Sequence, residues 1–183
     1  DAIAQVLFGE ENPSGKLTRS WPRSLGQIPI YYNHDRTGRP NPNPSVFWSG
    51  YNDESNDPLY PFGHGLSYTT FEYSDLQVEV IGPRSIDVTV TVSNSGSRAG
   101  TEVVQLYLTD PAAQVVRPVK ELKGFARVTL APGESSVQRF RLTEAELGYF
   151  LADGSFVFEP GDFVISVGPS SVLSQQVTVS GPQ

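Results

Sequence analysis

Pro58-Leu-Tyr-Pro-Phe-Gly-His-Gly-Leu-Ser-Tyr-Thr-Thr-Phe71 separates two kinds of sequence. Before it runs a segment rich in Pro, Asn and aromatic residues with little periodicity; after it, apolar and polar residues alternate almost to the C-terminus. A period of two puts one face of a strand in a core and the other in water. Leu76–Val80, Ile86–Val92, Val104–Leu108, Val137–Leu142, Phe163–Val167 and Gln176–Val179 all read this way. Turn signals fall between them at Gly82-Pro83, Asn94-Ser-Gly-Ser, Pro132-Gly133, Asp153-Gly154 and Pro160-Gly161. About six or seven short strands with such punctuation predict a two-sheet β-sandwich. Thr143-Glu-Ala-Glu-Leu147 interrupts them with a helical turn, capped by Thr143 with Glu146 three residues on.

The dividing stretch itself reads as a linker. Gly63 and Gly65 permit positive φ or close backbone approach, and Phe62, Leu66 and Tyr68 supply apolar surface to dock it. His64, set between the glycines, reads as a hydrogen-bonded structural residue rather than a base. Upstream, Ile3, Val6 and Leu7 give Ala2–Phe8 a helical spacing closed by Gly9. So short a helix is marginal in water and needs a body to pack on. Asp1 is therefore read as an artificial or processed start. Lys16–Trp21 is expected as a short strand. Pro22, Pro29, Pro40, Pro42 and Pro44 then forbid long regular structure, each removing a backbone donor and biasing its predecessor to extended geometry. Trp21, Ile28, Ile30, Tyr31, Tyr32, Phe47, Trp48 and Tyr51 can be ordered here only against a larger body. A disordered linker is the competing reading, which the aromatic content disfavours.

Composition removes several function classes. The 13 Lys and Arg residues face 20 Asp and Glu, for a net charge of −7, and neither half of the chain is basic, so no nucleic-acid partner is expected. No apolar run approaches the roughly 18 to 20 residues that span a bilayer, and no membrane partner is expected either. There is no Cys, which excludes disulfides, zinc thiolates and thiol nucleophiles. The two His residues, His34 and His64, lie without metal-ligand spacing. No metal or cofactor is expected.

Three motifs together carry a resemblance: the linker stretch, Asn12-Pro-Ser-Gly-Lys-Leu17, and Ile28-Pro-Ile-Tyr-Tyr-Asn-His-Asp-Arg-Thr-Gly-Arg-Pro40. Along nearly its whole length the chain resembles the C-terminal part of family 3 glycoside hydrolases of the β-glucosidase type. Val92-Ser-Asn-Ser-Gly96, Ala99–Leu108, Lys120-Glu-Leu-Lys-Gly-Phe125 and Leu130-Ala-Pro-Gly-Glu134 resemble that family's terminal fibronectin type III-like domain. The implied architecture is mainly β. Residues 1–57 would be the C-terminal end of an α/β sandwich domain, 58–71 a linker, and 72–183 an immunoglobulin/fibronectin III-like β-sandwich. The implied partners are the missing N-terminal barrel, the rest of the α/β domain, and a β-glucoside or oligosaccharide substrate.

Retaining glycoside hydrolysis needs two carboxyl groups about 5 to 5.5 Å apart, one nucleophile and one acid/base. In the family resembled, the nucleophile Asp lies on the barrel and the acid/base Glu on a loop upstream of the Asn-Pro-Ser-Gly-Lys-Leu motif. Neither motif is in this chain, so no catalytic residue is assigned. A local site at Asp53 and Glu54, or at His34 with Asp35, is conceivable, but acidic residues in Asn/Ser/Asp clusters usually solvate turns.

Tyr32, Asn33, His34, Arg39, Trp48 and Tyr51 are the candidate sugar-contacting rim, since aromatic faces cover sugar faces and amides or guanidinium groups reach hydroxyls. Rigid domain packing competes with this reading and is favoured: Tyr31 and Tyr32 follow Ile28-Pro-Ile30 as buried strand ends would. Where relatives have Ser-Arg-Tyr, this chain has Ser49-Gly50-Tyr51, losing a cation. Two further functions remain open, a non-catalytic carbohydrate- or surface-binding module and an assembly element that forms a homodimer.

Overall fold

The computed structural model describes residues 1–38 and 49–181. Strands β1 (Phe71–Gly82), β2 (Ser85–Asn94), β3 (Gly100–Thr109), β4 (Glu121–Leu130) and β5 (Ser135–Leu142) precede a short helix, Glu144–Leu147. A small hairpin of β6 (Tyr149–Phe150) and β7 (Phe156–Val157) follows, then β8 (Asp162–Gly168) and β9 (Gln175–Ser180). One sheet orders β1-β2-β5 and the other β4-β3-β8-β9, with antiparallel neighbours throughout. The result is the expected β-sandwich.

β2 shows why the sequence folds this way. Ile86, Val88, Val90 and Val92 are fully buried, while the residues between them point outward. They meet Val104, Leu106, Leu108, Phe163, Ile165 and Val167 from the opposite sheet in one apolar core. Removing such side chains from water is the main term favouring the fold. The helical turn also forms as read, with reciprocal bonds between Thr143 and Glu146 closing a capping box.

β3 departs from simple alternation, because Val104, Gln105, Leu106, Tyr107 and Leu108 are all buried. Val104, Leu106 and Leu108 face the core, whereas Gln105 and Tyr107 are covered by the N-terminal unit. Gln105 Nε2 donates to the carbonyls of Pro169 (2.6 Å) and Gly63 (3.4 Å), and the Tyr107 hydroxyl donates to Gln105 Oε1 at 2.5 Å.

In the N-terminal unit, the helix spans Ala2–Leu7, and Gly9 follows at φ +76°. Phe8 is 84 % exposed and Ile3 and Leu7 nearly as much, so the helix leaves most of its large apolar side chains uncovered. Lys16–Trp21 does not form a strand. It runs beside the linker through Leu17 N–H to His64 O, Gly63 N–H to Leu17 O, and a single Trp21–Tyr60 bridge, too irregular for a ladder. Gly63, at φ +81°, lies against Gln105 so closely that a Cβ would collide with it. His64 stacks on Tyr60 with ring centroids 4.9 Å apart, a packing role.

The linker and loop are fastened to the sandwich at several points. Asn12 Nδ2 donates to Ala99 O, while its Oδ1 accepts from Ser67 Oγ and Tyr68 N–H. Arg98 donates to the carbonyls of Gly9 and Glu10 and lies over the Tyr68 ring. Lys16 and Glu102 form a nearly buried ion pair at 2.8 Å.

Candidate functional site

The run Tyr31 to Thr37 crosses the sandwich at the loop between β3 and β4. Val119 N–H donates to His34 O at 2.9 Å, Asp35 bridges to Pro118, and Arg36 Nη1 donates to Pro111 O at 2.9 Å. Between this run, the 49–58 segment and the sandwich lies a cleft of about 710 Å³. Tyr31, Tyr32, His34 and Arg36 line one side, and Val119, Lys120 and Ser171 the other. A groove of about 440 Å³ shares Tyr31, His34 and Asn56 with it and adds Gly50 and Tyr51.

The candidate rim residues do not act alike. Tyr32 is held on three sides. Its ring stacks on Phe62 at 4.3 Å and meets the Tyr107 ring edgewise at 5.8 Å, and its hydroxyl accepts from Leu122 N–H at 3.1 Å. His34 is exposed, lines both openings, and keeps Nδ1 3.0 Å from Asp35 O. The Tyr51 hydroxyl donates to Gly26 O at 3.1 Å and the ring lines the groove. Asn33 is exposed and lines neither opening. Arg39 and Trp48 lie outside the described residues.

Tyr31 corrects the sequence expectation. It is half exposed and lines both openings, so only Tyr32 of the pair is tied down as a buried strand end would be. Tyr32 sits in a turn beside Tyr31, and nothing local distinguishes which of two adjacent tyrosines the linker and sandwich will hold. Lys120 and Ser171 were also missed, because a sandwich lysine carries no local sign of which segment will cover it.

The electrostatics favour binding polar groups over chemistry. Lys120 Nζ donates to Ser171 O at 2.8 Å and sits 5.5 Å from the Tyr107 ring centre; burial lowers its affinity for a proton. Among the described residues, Asp57 is the one carboxylate lining the larger cleft, and it accepts from Ser55 Oγ at 3.2 Å. A double displacement at a sugar carbon needs two. Glu54 accepts from Ser55 N–H in its own turn, and among the described residues no three His, Cys, Asp or Glu side chains gather to hold a metal. The cleft presents aromatic faces and hydrogen-bond donors, and among the described residues it has no pair of carboxyl groups.

The strand order and core define a fibronectin-like β-sandwich with the N-terminal unit packed against it. Residues 1–68 match the glycosyl hydrolase family 3 C-terminal domain and residues 102–171 a fibronectin type III-like domain. The chain is 47 % identical to a periplasmic β-glucosidase of Salmonella typhimurium, over 96 % of this chain and 24 % of that protein. It is 44 % identical to a β-xylosidase of Formosa agariphila, over 98 % and 25 %. The crystal structure of a β-glucosidase from Listeria innocua in complex with glucose superposes with a TM-score of 0.91 at 43 % identity, covering 99 % of this chain and 26 % of that one. The chain thus spans about a quarter of the length of the curated relatives it matches. It belongs to glycoside hydrolase family 3, as the C-terminal portion of such an enzyme.

Proposed function

We propose that the full-length protein is a retaining exo-β-glucosidase, and that this chain braces its fold and supplies part of the rim beside its active site. The observation that carries this reading is the match over nearly the whole chain to β-glucosidases, one of them solved with glucose. That Asp57 is the one carboxylate lining the cleft among the described residues fits it, because the reacting pair is then contributed by sequence outside this chain. Residues 1–57 would complete the α/β sandwich domain, 58–71 link it, and 72–183 form the fibronectin-like domain. Tyr31, His34 and Tyr51 are the rim residues best placed to meet the distal part of a substrate. The Formosa agariphila relative supports a second reading, in which the terminal sugar is xylose.

The test compares the full-length enzyme on aryl β-glucoside and aryl β-xyloside at matched leaving groups. The proposal expects kcat/KM on the glucoside to be at least about tenfold higher, a difference that one hydroxymethyl group's contacts can supply. Preference for the xyloside selects the second reading, and turnover of neither refutes both.

A further inference from the structure

Tyr32 touches all three parts of the chain at once. It belongs to the rim-forming run, its ring lies on Phe62 of the linker, and Tyr107 and Leu122 belong to sandwich strands β3 and β4. The Tyr107 hydroxyl is itself anchored on Gln105, which holds Gly63 O and Pro169 O. The ring and hydroxyl of Tyr32 therefore meet a buried frame. Two residues later the His34 carbonyl takes Val119 N–H, which leaves the imidazole at the cleft and Tyr31 on the same opening.

We propose that Tyr32 is a positioning residue: by locking into Phe62, Tyr107 and Leu122 it fixes the register of the 31–37 run and so sets where Tyr31 and His34 meet the distal sugar of an oligosaccharide. This deepens the reading that the cleft wall is part of a sugar site and rests on it. Its physical basis is that rotamers locked by packing and a second layer of hydrogen bonds place contacting groups, and a displacement of an ångström is costly. The sandwich thereby acts on substrate binding.

The experiment uses the full-length enzyme with two substrates, a β-linked glucose disaccharide and an aryl glucoside with a small aglycone. Tyr32→Phe removes only the acceptor for Leu122 N–H. It is expected to raise KM for the disaccharide by about three- to tenfold, the worth of one hydrogen bond, with kcat changed by less than about twofold and the aryl glucoside little affected. Tyr107→Leu, made from the sandwich side, is expected to do the same and to add little in a Tyr32→Ala background, since the two residues form one frame.

A folded Tyr32→Phe enzyme with wild-type KM for the disaccharide overturns the proposal, whatever its melting temperature. So does full additivity of the Tyr32 and Tyr107 effects, which would mean that Tyr32 touches sugar directly. Tyr31→Ala and His34→Ala read the rim itself. If neither moves the disaccharide KM, the rim reading fails and takes the proposal with it; if they do and Tyr32→Phe does not, positioning alone fails.

Discussion

Lys16 Nζ lies 2.8 Å from Glu102 Oε1, both side chains almost removed from water. Glu102 Oε1 also accepts from Val103 N–H at 2.8 Å, so one carboxylate oxygen serves both contacts where the N-terminal unit meets β3. Removing one partner strands a buried charge. Lys16→Met is expected to destabilise by about 3 to 5 kcal/mol, whereas Lys16→Met with Glu102→Leu recovers most of that, because no uncompensated ion remains. Urea unfolding of the wild type and the two variants measures it; equal losses in the single and double variants would show that a stranded charge is not the source of the loss.

Asn94 is fully buried and uses both ends of its amide. Nδ2 donates to Arg98 O (2.7 Å) and Leu130 O (3.0 Å), and Oδ1 accepts from Thr69 Oγ1 (2.6 Å) and Gly96 N–H (3.1 Å). Asn94→Asp keeps the shape and points a carboxylate oxygen at two carbonyls. A loss of about 3 kcal/mol or more is expected at neutral pH, from two lost donors and a buried unpaired charge. The loss should shrink in acid as the carboxyl takes a proton. A pH-independent loss under 1 kcal/mol, on the same scale, would contradict the assigned bonds.

Gly63 combines φ +81° with a contact that leaves no room for a Cβ against Gln105, whereas Gly133 has φ +76° and open space. Gly133→Ala should cost about 1 to 2 kcal/mol, the left-handed conformation alone. Gly63→Ala should cost clearly more, since Gln105 must also give up its place against the linker. Comparable melting temperatures for the two variants would remove the close approach from the account.

Much of this was legible in the sequence, for identifiable reasons. β2 alternates because it has one face in the core, and the Thr143 and Glu146 pair caps its helix through bonds three residues apart. β4 was not read from alternation. Phe125 points outward at 67 % exposure, and Gly124 faces inward where the Phe140 ring leaves a Cβ only 3.1 Å. Its ladder to β3, a long-range fact, makes it a strand. Lys16–Trp21 failed the opposite way: its composition suits a strand, but its partner is a Pro- and Gly-rich linker that allows only scattered pairing. The cleft depends on which of two adjacent tyrosines the sandwich captures, and local sequence does not encode that.

The hydrogen bond from Thr143 holds the Glu146 carboxyl below its ordinary 4.5. A depressed carboxyl contributes stability that is present above its unfolded value and lost as pH falls through the folded one. Glu146→Gln is therefore expected to cost about 1 kcal/mol at neutral pH, in line with loss of a helix cap. The gap to wild type should close as pH falls from above the ordinary 4.5 through the lowered folded value. Thermal melts at several pH values follow it, and a gap that widens in acid would reverse the sign assigned to this group.

The most direct test measures hydrolysis of an aryl β-glucoside by the 183-residue chain and by the full-length enzyme at equal molar concentration. Turnover by the full-length enzyme with none above buffer for the chain is the predicted result, since the proposed function assigns the reacting carboxyl pair to sequence outside this chain. Turnover by the chain, abolished by Asp57→Asn, would place the chemistry in this cleft and contradict the account.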